Sequence, residues 1–91
     1  MAIHPLKTKY GNDSRNNFVH TRGGEQAFIS YGRMIATLDT ATGAVSLDSR
    51  YWDYSTTTGY YRNQFLGETM TATRKKINNG TYTLTTLEDT K

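Results

Sequence analysis

The spacing of apolar residues changes period once along this chain, and that change divides a sheet-forming part from a helix-forming part. Before Tyr54 the pattern alternates, with Met34, Ala36 and Leu38 set to one face and Ile35 and Thr37 to the other. Beyond it Tyr61 and Phe65 stand four apart, and Leu66, Met70, Thr73 and Ile77 continue at helical intervals. The junction itself supplies the chemistry of a helix start. Ser55-Thr56-Thr57-Thr58 offers hydroxyls that accept from the open N–H groups of a first turn, and Asp53 can do the same with a charge that suits the dipole.

Turn residues punctuate the first part. Phe18-Val19-His20-Thr21 reads as a strand, ended by Gly23-Gly24, and Gln26-Ala27-Phe28-Ile29-Ser30 as the next, ended by Tyr31-Gly32. Met34 to Leu38 follows. Asp39-Thr40-Ala41-Thr42-Gly43 is the strongest turn signal, because an Asp can bond its own backbone two residues on and a closing Gly accepts positive φ. Ala44-Val45-Ser46-Leu47-Asp48 then returns antiparallel. Residues 1–16 are polar and carry the turn signal Gly11-Asn12-Asp13-Ser14, so they read as a poorly ordered arm or an edge strand.

In the second part Gly67 interrupts the helical spacing, and it is better placed to end one helix at Leu66 than to sit inside a longer one. Asn78-Asn79-Gly80 stops the helical segment, with Arg74, Lys75 and Lys76 set against its negative end. Residues 81–87 alternate and are rich in β-formers, so they read as a last strand, and residues 88–91 as a frayed tail. The expected fold is one α+β domain over residues 1–91. It has an antiparallel meander of three to four strands at 17–49, one or two helices at 55–79 and a final strand.

With 91 residues and 35% hydrophobic content the core must be thin and partly aromatic, drawn from seven Tyr, three Phe and one Trp. A core so small is often completed by a partner chain, which makes a homo-oligomer an expectation. The absence of cysteine excludes disulfides and thiolate metal sites. No apolar run approaches the ~20 residues that cross a bilayer, and the first residues lack the apolar stretch of a signal peptide, so the expected setting is a cytoplasm without membrane attachment. The net charge is +3. Lys7, Lys9, Arg15 and Arg22 before residue 25, and Arg62, Arg74, Lys75 and Lys76 after residue 58, flank a mildly acidic middle.

Several clusters compete as functional sites. Tyr51, Trp52, Tyr54, Tyr60 and Arg62 are the candidate partner-binding residues, since Trp, Tyr and Arg dominate binding hot spots. Against this, Trp52 and Tyr61 are expected inside, between sheet and helix, with Tyr60 outside. Ser55, Thr56 and Thr57 form a candidate anion site at the helix start, for which self-capping is the simpler account. A helix-turn-helix broken at Gly67 would make Arg74, Lys75 and Lys76 phosphate contacts, although the helix dipole explains them as well. Arg22-Gly23-Gly24 is a single copy of an RNA-associated tripeptide, and a turn is the better account of it. The two histidines, His4 and His20, lack the nucleophile, base and orienting group of a triad and the carboxylates of a metal site. The expectation is no catalytic residue, no metal and no cofactor.

Residues 28–67 resemble a family of small uncharacterised proteins and domains of tailed bacteriophages. The resemblance rests on Ile29-Ser30-Tyr31, Met34-Ile35-Ala36-Thr37 and Gly43-Ala44-Val45-Ser46-Leu47. Its most specific part is Tyr54-Ser55-Thr56-Thr57-Thr58 with Tyr61-Arg62-Asn63-Gln64-Phe65-Leu66-Gly67. Related patterns often carry a histidine where Tyr61 stands, so no role for that imidazole carries over. The resemblance implies a phage accessory protein in the host cytoplasm. It would bind and modulate a host component, such as a defence or nucleic-acid-processing complex, by occupancy. Nucleic-acid binding through Arg62, Arg74, Lys75 and Lys76, or nucleotide binding at residues 53–58, are the alternatives.

Overall fold

The computed structural model of the chain describes residues 2–87, so the frayed tail expected at 88–91 lies outside the described residues. Glycine-bearing turns fold the first half into a meander. Strands β1 (Ala2–Lys7), β2 (Asp13–Arg22), β3 (Glu25–Ser30), β4 (Arg33–Asp39) and β5 (Val45–Asp48) lie in sequence order, each antiparallel to the last. The Asp39 carboxylate accepts from Ala41 N–H at 2.9 Å and Thr42 N–H at 3.3 Å, closing the turn the sequence marked most strongly.

Of the two readings of residues 1–16, the structure has the edge strand and not the arm: residues 2–7 and 13–16 belong to the sheet, with β1 at its edge. Two contacts order this polar segment, one local and one distant in sequence. The Thr8 hydroxyl accepts from Tyr10 N–H at 3.3 Å and Asn12 N–H at 3.2 Å, which shapes the β1–β2 turn. Farther along the chain, the Gln64 amide grips the open edge of β1, accepting from Lys7 N–H and donating to Lys7 C=O, both at 2.8 Å. The edge backbone thus has a side-chain partner where a further strand would otherwise pair.

Helix α1 (Thr56–Leu66) begins at Ser55, whose hydroxyl accepts from Thr58 N–H at 3.1 Å. Asp53 does not cap it. Gly67, at φ +70°, ends α1 and donates to Asn63 C=O, so the helical segment does break there. Thr69 then caps α2 (Met70–Asn78). The two helices carry the chain back across one sheet face, and β6 (Thr83–Thr85) joins β5 in parallel. The meander therefore has five strands in place of three or four, the final strand makes the sheet six-stranded, and that last strand is three residues long rather than seven.

Val19, Phe28, Ala36 and Leu47 stand in register across four strands and form the heart of the core. Full burial of Phe28 alone contributes roughly 2–3 kcal/mol. Phe65 of α1 lies 5.9 Å from its ring. The expected alternation on β4 fails at one point. Ile29 pairs with Met34 and Phe28 with Ala36, which leaves Ile35 as a bulge residue, so Ile35 and Ala36 both enter the core. The opposite face carries two rows, Pro5–Phe18–Ile29–Met34 and Ile3–His20–Ala27–Thr37–Ser46–Thr83.

Candidate functional site

Alternate turns of an antiparallel meander fall at the same end of the sheet. The β1–β2 turn, the β3–β4 turn and the segment that leaves β5 toward α1 share that end. Each presents a tyrosine to solvent: Tyr10 is 79% exposed, Tyr31 65% and Tyr54 70%, and Tyr60 on the first turns of α1 is 41% exposed. Three grooves open around the start of α1. One of about 530 Å³ runs between the β1–β2 turn and the helix, lined by Thr8, Lys9, Tyr10, Asn12, Thr56, Thr57, Tyr60 and Tyr61. The second, of about 410 Å³, lies across Tyr60 and reaches Asp53, Asn63 and Met70. A third, of about 250 Å³, is lined by Tyr31, Arg33, Tyr51, Tyr54 and Thr58 among others.

Tyr31 breaks a backbone rule. It joins β3 to β4 in a two-residue turn at φ +51°, followed by Gly32 at φ +80°. Such turns need positive φ at both central positions, which Asn and Gly supply at least cost. A bulky L-residue there costs roughly 1–2 kcal/mol. A tyrosine two-thirds exposed recovers little of that by packing.

Beneath this rim Arg62 is fully buried. Its Nη1 donates to Trp52 C=O at 2.5 Å, and its Nη2 to Asn63 Oδ1 at 3.1 Å and Met70 Sδ at 3.4 Å. Asp53 stands 3.7 Å from Arg62 and 3.1 Å from Arg74. Both guanidinium groups lie over the Trp52 ring, at 5.2 and 5.3 Å from its centroid. Burial pulls the Arg62 guanidinium below its ordinary value, with Asp53 opposing and Arg74 reinforcing the shift. Its Nε has no hydrogen-bond partner among the described residues. The cluster ties the 49–55 segment to both helices.

A second polar knot lies at the α1–α2 link. Glu68 accepts from Lys76 Nζ at 2.7 Å, from the Thr73 hydroxyl at 2.6 Å and from the Tyr82 hydroxyl at 2.9 Å. Burial pushes this carboxyl up, but the donors outweigh it and hold Glu68 below the ordinary value. Burial and the Glu68 hydrogen bond push Tyr82 up, and the Glu68 hydrogen bond raises Lys76.

The structure thus sorts the residues singled out in the sequence. Tyr54 and Tyr60 are exposed, Tyr51 and Trp52 are half-buried against the core, and Arg62 is inaccessible. Ser55 is occupied as a cap, while Thr56 and Thr57 line the groove of about 530 Å³. Of the four basic residues proposed to meet phosphates, Arg62 is buried, Arg74 pairs with Asp53 and Lys76 with Glu68. Lys75 makes no ion pair among the described residues. His4 lies opposite Val19 and His20 opposite Ile3, which puts the histidines on opposite faces. Among the described residues no group of three His, Asp or Glu is arranged to hold a metal, and no helix is long and apolar enough to cross a membrane. Sequence reasoning missed Tyr10 and Tyr31, whose available signal was a Tyr-Gly pair at a turn. Asp48, at the end of β5, is a buried carboxylate that accepts from Arg50, Tyr51 and Leu87 N–H at 2.9–3.0 Å.

A protein-family model, "Family of unknown function (DUF8033)", matches residues 1–86. No curated protein and no solved structure matches the chain.

Proposed function

The chain belongs to this family of unknown function over nearly its whole length, and from that premise we propose that it is a small non-catalytic binding protein. Its tyrosine-rich end docks a protein partner. The observation that carries the reading is the set Tyr10, Tyr31, Tyr54 and Tyr60, exposed at one end around grooves that meet at the start of α1. Tyrosine supplies a large, rigid contact area at low entropic cost and dominates many protein-binding surfaces. The likeness of residues 28–67 to tailed-phage proteins supports the finer reading: an accessory protein in the host cytoplasm that modulates a host component by occupancy. Under this reading Arg62 and Trp52 hold the surface in place, and Tyr10 and Tyr31 join the contact set in their stead.

The test is a pull-down from host lysate with the wild-type chain and with Tyr10→Ser/Tyr60→Ala as bait, each with and without nuclease. The expected result is one protein retained by the wild type after nuclease and lost by the folded variant. Retention by both sinks the reading. Capture abolished by nuclease turns it toward nucleic acid, with the steep salt dependence that phosphate contacts impose.

A further inference from the structure

The charges at the tyrosine-rich end are one-sided. Among the described residues, Asp53 is the only carboxylate that lines any of the three grooves there, and Arg62 and Arg74 already hold it. Of the other carboxylates at that end, Asp13 pairs with Lys7, and Asp48 is buried against backbone N–H groups. The cations are less engaged. Lys9, Arg15 and Arg50 are exposed and make no ion pair among the described residues. Lys9 stands 5.3 Å over the Tyr10 ring and Arg33 4.6 Å over the Tyr51 ring, each pair lining a groove. Glu25 and Asp39 are exposed beside the turns at the far end of the sheet.

We propose that the partner docked at this end presents an acidic segment, in which a carboxylate flanks a bulky apolar side chain. The apolar chain enters the groove of about 530 Å³ beside Tyr10 and Tyr60, and the carboxylate meets the Lys9 ammonium. This rests on the docking reading above and adds the chemistry of the partner to it. The groove has the size of a cleft that takes a ligand, ~300–1,000 Å³. Charge selects the occupant. An acidic segment meets unpaired cations and no free carboxylate to repel it, whereas a basic segment sets its charges against Lys9 and Arg50. The start of α1 lies on the same groove, and its dipole adds positive potential there. A single-stranded nucleic acid fits the wall less well. It needs a run of cations along its phosphates, and Lys9 is the one charged residue lining this groove among the described residues.

The test pans a displayed library of random twelve-residue peptides on the full chain, with the Tyr10→Ser/Tyr60→Ala variant as counter-selection. Peptides that need the tyrosines are expected to carry net negative charge and at least one aromatic or large aliphatic residue. Fluorescence anisotropy on the tightest of them, made synthetically, gives its dissociation constant at about 50 mM salt. Lys9→Glu changes an exposed residue between β1 and β2 and is expected to weaken binding about tenfold. Lys75→Glu makes the same charge change on α2, outside this groove, and is expected to stay within about twofold. Circular dichroism establishes that each variant is folded; if the double variant unfolds, Lys9→Glu takes its place in the counter-selection. Tyrosine-dependent peptides that are neutral or basic overturn the proposal and leave the docking reading standing. The absence of any such peptide, or undiminished affinity in Lys9→Glu, also overturns it, and the pull-down then judges the docking reading by itself. An oligothymidylate that binds more tightly than the best peptide, and loses that binding in Tyr10→Ser/Tyr60→Ala, overturns it in favour of nucleic acid.

Discussion

Replacing Arg62 by Ala separates a structural arginine from a binding one. The side chain has no solvent exposure, so truncation opens a cavity between the 49–55 segment and the two helices. It also strips the Trp52 carbonyl of a charged donor and Asp53 of one of its two guanidinium partners. An unsatisfied carbonyl costs about 1–3 kcal/mol, and breaking a buried charge pair costs about 3–5 kcal/mol in full. Asp53 is 36% exposed, so water screens part of the second figure. A loss of about 3–4 kcal/mol is therefore expected. For a domain of this size that is a drop of roughly 12–30 °C in melting temperature. Arg62→Met keeps most of the volume and removes a buried cation whose Nε is already unpartnered, so it should cost about 1–2 kcal/mol. Urea unfolding followed by circular dichroism measures both. A loss below about 1 kcal/mol for Arg62→Ala would refute the buried-hub account and return Arg62 to the binding surface.

Three further outcomes follow from the same geometry. Gly67→Ala forces an L-residue to φ +70° and should lower stability by about 1 kcal/mol in thermal melts, whereas Gly67→Asn should cost less. Glu68 titrates lower in the folded chain than in the unfolded one. Its contribution is thus complete above the ordinary carboxylate value and is lost as pH falls through the depressed folded value, so the urea midpoint should fall below about pH 4.5. Glu68→Gln should flatten that acid limb, and an unchanged limb would show the donors to be weak. Tyr31→Asn relieves the turn and should hold or raise the melting temperature while weakening partner capture in the pull-down; a destabilised Tyr31→Asn would mean the ring packs more than its exposure implies.

What was legible in the sequence follows the range of the interaction that fixes each element. The Asp39–Gly43 turn, the Ser55 cap and the break at Gly67 are settled by residues within four positions of each other, and local chemistry read them. The choice between arm and edge strand stayed open for residues 1–16 because β1 is held by Gln64, which stands 57 residues away. The Ile35 bulge shifts one residue against a partner strand, and no spacing within β4 reports it. Arg62 read as a surface cation because nothing local announces that Trp52, Asp53 and Met70 will close over it. Tyr10 and Tyr31 were passed over for a different reason: Tyr-Gly reads first as a turn, and only the strand order shows that alternate turns share an end.

Tyr31 also bears on the proposed function. A turn that needs positive φ twice is filled most cheaply by Asn-Gly, and the chain supplies Asn-Gly elsewhere, at Asn79-Gly80. At the β3–β4 tip it places tyrosine first, with the ring mostly in water and the backbone strained. Folding gains nothing evident from that choice. The same end carries Tyr10 over the β1–β2 turn and Tyr54 and Tyr60 beside α1, each exposed where a smaller polar residue would serve the backbone as well. Strain that buried contacts do not offset marks positions fixed by something other than the fold. Only Tyr31 carries the strain, but four exposed tyrosines at one end, above a charged cluster that ties the supporting loop to both helices, are what the proposed docking surface requires.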